Sequence, residues 1–217
     1  MFTLSNQYNE LLDLYKIMAD DGYKRSDGAI VKKAYSDAEP HKFAEQLKVI
    51  IKYLNAKTAL DYGSGGSDLN NTKLNNGRNF KEYIGLSKVY PFEPAREKKL
   101  KKKSDLVLCF DVLEHIFIND IPWVINDLFK NAKKGIIINV ACYEAAALLP
   151  NGENAHITVR PPAWWLGQVE CVSNLHPNIY WALFASPGYQ NPKFLGMRRM
   201  KDRLDSSNFF QPYDKWN

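Results

Sequence analysis

The sequence predicts an α/β fold: a three-layer sandwich around a mostly parallel sheet that ends in an antiparallel hairpin. Three observations carry this expectation. The short apolar runs at 57–62, 106–110 and 136–140 read as buried strands, and helical patterns alternate with them. The first of these strands runs into an acid and a glycine turn, Asp61-Tyr62-Gly63-Ser64-Gly65-Gly66. Near the end of the chain, 179–185 and 194–200 are two strand-like runs joined by a loop marked by Pro187-Gly188 and Asn191-Pro192. A strand, a carboxylate and a glycine turn in this order form the entrance to a nucleotide-like site in Rossmann-like sheets.

The chain has 217 residues, of which 45 % are hydrophobic, enough for one domain with a sizeable core. The expected layout has N-terminal helices over 1–56, a cofactor-binding core over 57–200 and a loose tail over 201–217. Net charge is +5, and the run Lys98, Lys99, Lys101, Lys102 and Lys103 supplies much of the excess. That run reads as a solvated connector rather than a nucleic-acid contact. Cys109, Cys142 and Cys171 are widely spaced and odd in number, which suits reduced thiols better than a disulfide framework. The N-terminus lacks the pattern of a secretory signal, and no apolar run has membrane-spanning length. A cytoplasmic location with no membrane partner is the resulting expectation.

Leu4, Tyr8, Leu11, Leu12, Tyr15 and Met18 lie on one face of a helix expected over 4–19, which Gly22 ends. The segment 23–40 reads as polar and irregular, with Tyr35 as an anchor. A second helix is expected over 40–55, opened by Pro40 and buried through Phe43, Leu47, Ile50, Ile51 and Leu54. After the glycine turn, Asn70, Asn71, Asn75, Asn76 and Gly77 predict only a short or frayed helix. A strand over 86–90 ends in Tyr90-Pro91-Phe92-Glu93-Pro94. The strand at 106–110 leads to Asp111-Val112-Leu113-Glu114-His115, then to a helix over 119–131 that Gly135 breaks. A short helix is expected over 164–172.

Glycines at 63 and 65 permit a tight turn and close approach of backbone N–H groups to a ligand. Asp111, Glu114 and His115 follow a strand end directly, where a positioned carboxylate or imidazole can take a proton from an acceptor. Asp-x-x-Glu before a helix is also a capping pattern, so local structure is the alternative there. His156 and the pair Trp164 and Trp165 come after the last central strand. The expectation puts His156 close to His115 and Glu114 across the mouth of a pocket. The tryptophans either stack on an acceptor there or pack as core.

These segments together resemble the class I S-adenosylmethionine-dependent methyltransferases, over about residues 40–200. The resemblance rests on L-D-Y-G-S-G-G at 60–66, on Glu93 in F-E-P, on D-L-V-L-C-F-D-V-L-E-H-I at 105–116 and on the final hairpin. The segment N-A-H-I-T-V-R-P-P-A-W-W at 154–165 is also similar to one in small bacterial and phage-type members. The resemblance implies S-adenosyl-L-methionine as cofactor, held by Asp61, Gly63, Ser64, Gly65, Glu93 and Asp111. Asp61 would act near its amino group, Glu93 on its ribose hydroxyls and Asp111 at the floor of the site. It implies methyl transfer to an O or N nucleophile of a small-molecule acceptor, with Glu114, His115 and His156 as catalytic candidates. Segments of similar spelling hold a divalent ion in some methyltransferases, and Asp111, Glu114, His115 and His156 could supply such a set here; D-V-L-E-H also occurs in metal-free members, so no metal is assigned and that alternative stays open. The chain departs from the pattern in two places. Ser67 stands where a third glycine belongs, and no third strand with an adenine-contacting acid is visible between Glu93 and Ser104. The competing readings are a non-catalytic S-adenosylmethionine-binding protein, an RNA methyltransferase and an NAD-dependent oxidoreductase. Asp68 occupies the last glycine position of the dinucleotide fingerprint, which counts against the last.

Overall fold

A computed structural model of the chain describes residues 4–32, 38–74, 76–96, 100–188 and 193–198. Its elements in order are α1 (Gln7–Asp21), β1 (Tyr23–Arg25), β2 (Ile30–Val31), α2 (Ala38–His41), α3 (Ala44–Tyr53), β3 (Thr58–Tyr62), α4 (Phe80–Ile84), β4 (Lys88–Phe92), β5 (Ser104–Phe110), α5 (Ile121–Asn131), β6 (Ala132–Ala141), β7 (Ala147–Leu148), α6 (Pro162–Ser173), β8 (Tyr180–Ser186) and β9 (Lys193–Arg198). The main sheet has the order β4-β3-β5-β6-β8-β9. Its first five strands are parallel, and β9 closes the edge antiparallel to β8. This is the expected Rossmann-like three-layer arrangement with its terminal hairpin.

The pleat sorts the core into two layers. Val107 and Cys109 of β5, Ile136, Ile138 and Val140 of β6, and Trp181, Leu183 and Ala185 of β8 face α5 and α6. Their alternates Leu106, Leu108, Phe110, Ile137, Ala182 and Phe184 face α3 and α4. Helix α5 presents Ile121, Val124, Ile125, Leu128 and Phe129 to its layer, one stripe at helical spacing. Trp165 is fully buried in the same layer and Trp164 packs edge-on against it, so the pair is core and not an acceptor platform.

Several elements depart from the sequence expectation, each for a local reason. The helix expected over 40–55 is split, because Phe43 leaves helical geometry to bury its ring between Phe110 and Phe184. The segment after Gly22 is not irregular throughout: β1 and β2 form a hairpin turning at Asp27-Gly28, and β1 also pairs with β7. Gly135 lies inside β6 rather than ending a helix, and a Cβ there would come within 2.9 Å of Leu54 Cδ1. The asparagine segment gives turns, and α4 starts only at Phe80. Asn70 instead serves the sheet: its side chain accepts from Val89 N–H at 3.0 Å and donates to Val89 O at 2.8 Å. It thereby satisfies part of the edge of β4, whose Pro91 is also suited to an edge strand. No strand forms among the described residues between Glu93 and Ser104. Tyr35, Lys98, Lys99 and the tail 201–217 lie outside the described residues. Lys102 and Lys103 are exposed, as a solvated run requires. Lys101 is not: its Nζ sits 2.6 Å from Asp127 Oδ2 and over the Phe92 and Trp123 rings. No helix among the described residues is long and apolar enough to cross a membrane.

Asp120 ties the N-terminal segment to this core. It is fully buried, and its carboxylate accepts from Ser5 N–H at 2.6 Å and Ser5 Oγ at 2.7 Å instead of capping α5. Asp120→Ala removes the acceptor and leaves the half-buried Ser5 N–H and hydroxyl without this charged partner, so urea unfolding is expected to show a loss of about 1–3 kcal/mol.

Candidate active site

Strand order reverses between β3 and β5: the chain passes from β3 outward to β4, then returns to the other side of β3. Loops diverge at such a point and leave a crevice beyond the strand ends. A cavity of about 750 Å³ occupies it, lined by Asp61, Gly63, Ser64, Gly65 and Ser67 after β3, Glu93 after β4, and Asp111, Val112 and His115 after β5. All six residues expected to hold a cofactor therefore line one space. The N-terminal segment completes the wall with Tyr8, Leu12, Tyr15, Tyr23 and Arg25, and Tyr143, Glu144 and His156 close the far side.

The glycine turn is stitched to the end of β4. Gly63 N–H and Ser64 N–H both donate to Phe92 O, at 2.8 and 3.0 Å, and Gly65 N–H donates to Glu93 Oε2 at 2.8 Å. Glu93 Oε1 accepts from Ala95 N–H at 3.1 Å, which fixes the carboxylate in the cavity wall while lone pairs on both oxygens remain. Gly63 has φ +78°, and a Cβ there would meet Val112 Cγ2 at 2.4 Å. Ser67 caps no helix. Its hydroxyl donates to Ser64 O at 2.8 Å and lies 3.2 Å from Asp61 Oδ2, so it closes the turn and orients the largely buried Asp61.

Asp111 stands at φ +52°, a backbone state that costs energy for a residue with a side chain. Asn139 on the neighbouring strand holds it there: Asp111 N–H donates to Asn139 O at 3.2 Å, and Asn139 Nδ2 donates to Asp111 Oδ1 at 3.0 Å. Ser186 Oγ in turn donates to Asn139 Oδ1 at 3.2 Å. This buried chain of polar groups runs across β5, β6 and β8, and pattern reading did not find Asn139. A lone asparagine in the apolar run Ile136–Val140 was its only signal.

The capping alternative for Asp111 and Glu114 does not hold, since the single 3₁₀ turn Leu113–His115 has no side-chain cap. Glu114 is fully buried, and its Oε1 accepts from Ala141 N–H of β6 at 2.7 Å while its Oε2 has no hydrogen-bond partner. Burial, and then the charge of Asp111, push its carboxyl well above the usual range.

His115 and His156 come together from segments forty residues apart, with ring centroids 4.8 Å apart and nearly perpendicular. Thr158 sets this by bonding back to the 3₁₀ turn: its N–H donates to Glu114 O at 2.9 Å and its hydroxyl to Ile116 O at 2.7 Å. His115 Nδ1 is 2.9 Å from Ala155 O and 2.8 Å from Tyr15 Oη, and Tyr15 Oη also donates to Ala155 O at 2.7 Å. His156 Nδ1 is 2.5 Å from Tyr143 O. A carbonyl accepts, so both rings carry their proton on Nδ1 and keep the lone pair on Nε2. Burial and the neighbouring His156 push His115 down to about 3, and burial also lowers His156. One ligand atom each of Glu114, His115 and His156 lie within 4.8 Å of one another, a set able to hold a metal ion. No protein-family model, curated protein or solved structure matches the chain.

Two outcomes are expected from this geometry. Gly63→Ala strains the turn and strikes Val112, costing about 1–3 kcal/mol in denaturant unfolding. Adding Val112→Ala should relieve the clash but not the cost of the positive φ. His115 is depressed in the folded state, so its contribution to stability is fully present above about pH 6.5 and is lost as pH falls toward about 3. His115→Gln should flatten this acid limb in unfolding curves of metal-free protein.

Proposed function

We propose that the chain is an S-adenosylmethionine-dependent methyltransferase acting on an O or N nucleophile of a small-molecule acceptor. The observation that carries this reading is the shared cavity. The glycine turn after β3, the acid after β4 and the acid after β5 meet across the strand-order reversal around about 750 Å³. That volume lies within the range of sites for drug-sized ligands and cofactors. Gly63 and Gly65, at φ +78° and +51°, permit the tight turn, but the N–H groups of Gly63, Ser64 and Gly65 already bond to Phe92 O and Glu93 Oε2 and Val112 fills the space beside Gly63, so the turn shapes the cavity wall rather than offering those donors to a ligand.

When bound, S-adenosylmethionine supplies a methyl group activated by its sulfonium. The residues of this chain would bind and orient. Asp61, anchored by Ser67, offers a carboxylate for an ammonium group. Glu93 offers two oxygens for a pair of vicinal hydroxyls while backbone N–H groups hold it in place. Asp111 offers a carboxylate at the floor, fixed by Asn139. Tyr15, Tyr23, Tyr143 and His156 form the opposite wall, where an acceptor would lie. There Nε2 of a neutral histidine can accept a hydrogen bond from an acceptor hydroxyl or amine. With pKa values lowered, the histidines contribute more to orientation than to proton removal, and rate would come chiefly from holding the two reactants in line.

Calorimetric titration is expected to show S-adenosylmethionine and S-adenosylhomocysteine binding one per chain, with a rise in Tm, and NAD not binding. Gly65→Val should abolish binding, and Glu93→Ala should weaken it by about 10–100-fold through loss of charge-assisted hydrogen bonds. Failure of the intact, folded protein to bind either sulfur compound at millimolar concentration removes the reading.

A further inference from the structure

The pairing of a buried, half-partnered carboxylate with two histidines has a use that does not depend on what the main cavity takes. We propose that Glu114 and the Nε2 atoms of His115 and His156 form a binding site for one divalent first-row transition-metal ion.

Three independent features point there. First, the three residues converge: one possible ligand atom of each, a ring nitrogen or a carboxylate oxygen, lies within 4.8 Å of the others. Two ligands each about 2.1 Å from one ion are at most about 4.2 Å apart, so the widest pair must close by roughly 0.5–1.5 Å. Rotation about the side-chain torsions of Glu114, His115 and His156 would have to supply this closure. Second, Glu114 Oε2 is fully buried and no donor reaches it; burial and the neighbouring Asp111 carboxyl keep the group protonated, so an incoming cation would displace that proton. Such an atom is costly unless something satisfies it, and a cation beside it would do so.

Third, the second shell is already built. Histidines that hold metals give their other ring N–H to a carbonyl or carboxylate, which fixes the tautomer. Here Ala155 O and Tyr143 O take the Nδ1 protons, and Tyr15 of α1 braces both His115 Nδ1 and Ala155 O. Glu114 Oε1 is held by Ala141 N–H, which leaves Oε2 as the remaining donor. Two imidazoles and one carboxylate favour zinc, cobalt or iron(II) over magnesium and calcium, which prefer all-oxygen sets. With an ion on both Nε2 atoms neither histidine accepts a proton, so ligand and base are mutually exclusive roles for this pair.

The test uses the full chain without an affinity tag, stripped by chelator and titrated with Zn²⁺, Co²⁺ and Mg²⁺. Calorimetry is expected to give one Zn²⁺ per chain, with Mg²⁺ failing to compete, and bound Co²⁺ should show visible absorption bands. His156→Gln and Glu114→Gln should each weaken Zn²⁺ binding by more than about 100-fold, beyond the range of an outer-shell change. Tyr15→Phe should weaken it by about 10-fold as an outer-shell partner. His176→Gln should leave it unchanged. Circular dichroism of each variant checks the fold, and His156→Gln, the least buried change, stands as the deciding variant. Absence of stoichiometric Zn²⁺ binding, or binding that His156→Gln leaves intact, overturns the proposal. S-adenosylmethionine titrated into the same samples reports on the cofactor separately, so either result can fail alone.

Discussion

The return of the chain across β3 after β4 is the constraint on which the rest of this structure depends. Parallel strands require crossover connections, and a reversal in strand order forces two neighbouring loops to leave in opposite directions. Those loops follow β3 and β5, and they part to leave room beyond the sheet. The hydrogen bonds from Gly63, Ser64 and Gly65 then bind the β3 turn to Phe92 and Glu93 at the end of β4. Bare backbone at Gly63 is needed because Val112, leaving β5, occupies the space a side chain would take.

A second layer of order comes from polar groups buried at the same edge. Asn139, fully buried among aliphatic neighbours, spends its amide on Asp111 and Ser186. Because a buried polar group is costly when unpaired, these partners fix one another's rotamers and hold Asp111 at its positive φ. Glu114 departs from this pattern with one oxygen satisfied and one bare. That open carboxylate oxygen lies next to two oriented imidazoles, while Ser64 Oγ is a second buried polar atom of the same edge left without a partner.

The N-terminal segment is part of the site and not an appendage. Asp120 holds Ser5, α1 brings Tyr8 and Tyr15 to the cavity, and β1 joins β7 so that the loops on both sides of it are braced. Tyr15 is the direct link, since it bonds to the ring of His115 and to the carbonyl that fixes that ring. Displacement of α1 would therefore disturb a histidine a hundred residues away in sequence.

The sequence by itself determined the layers, the strands of the main sheet and the edge at which the site lies. Short continuous apolar runs, helical stripes and the Asp61-to-Gly66 turn are local signals, and local signals survive in one dimension. The residues expected to contact a cofactor all line one cavity because strand ends are legible and a parallel sheet gathers them at one edge. The Asp27-Gly28 hairpin was missed when 23–40 read as irregular, because its strands have only three and two residues. Other features had no local signature. Phe43 breaks its helix only because Phe110 and Phe184 wait for its ring, and Lys101 leaves solvent only because Asp127 and the Phe92 and Trp123 rings surround it. The tautomers of His115 and His156, and the bare oxygen of Glu114, follow from carbonyls, hydroxyls and amides contributed by α1, β6 and the loops flanking β7. Such long-range hydrogen bonds depend on which backbone groups secondary structure leaves unpaired at a given point in space, and only the tertiary structure decides that.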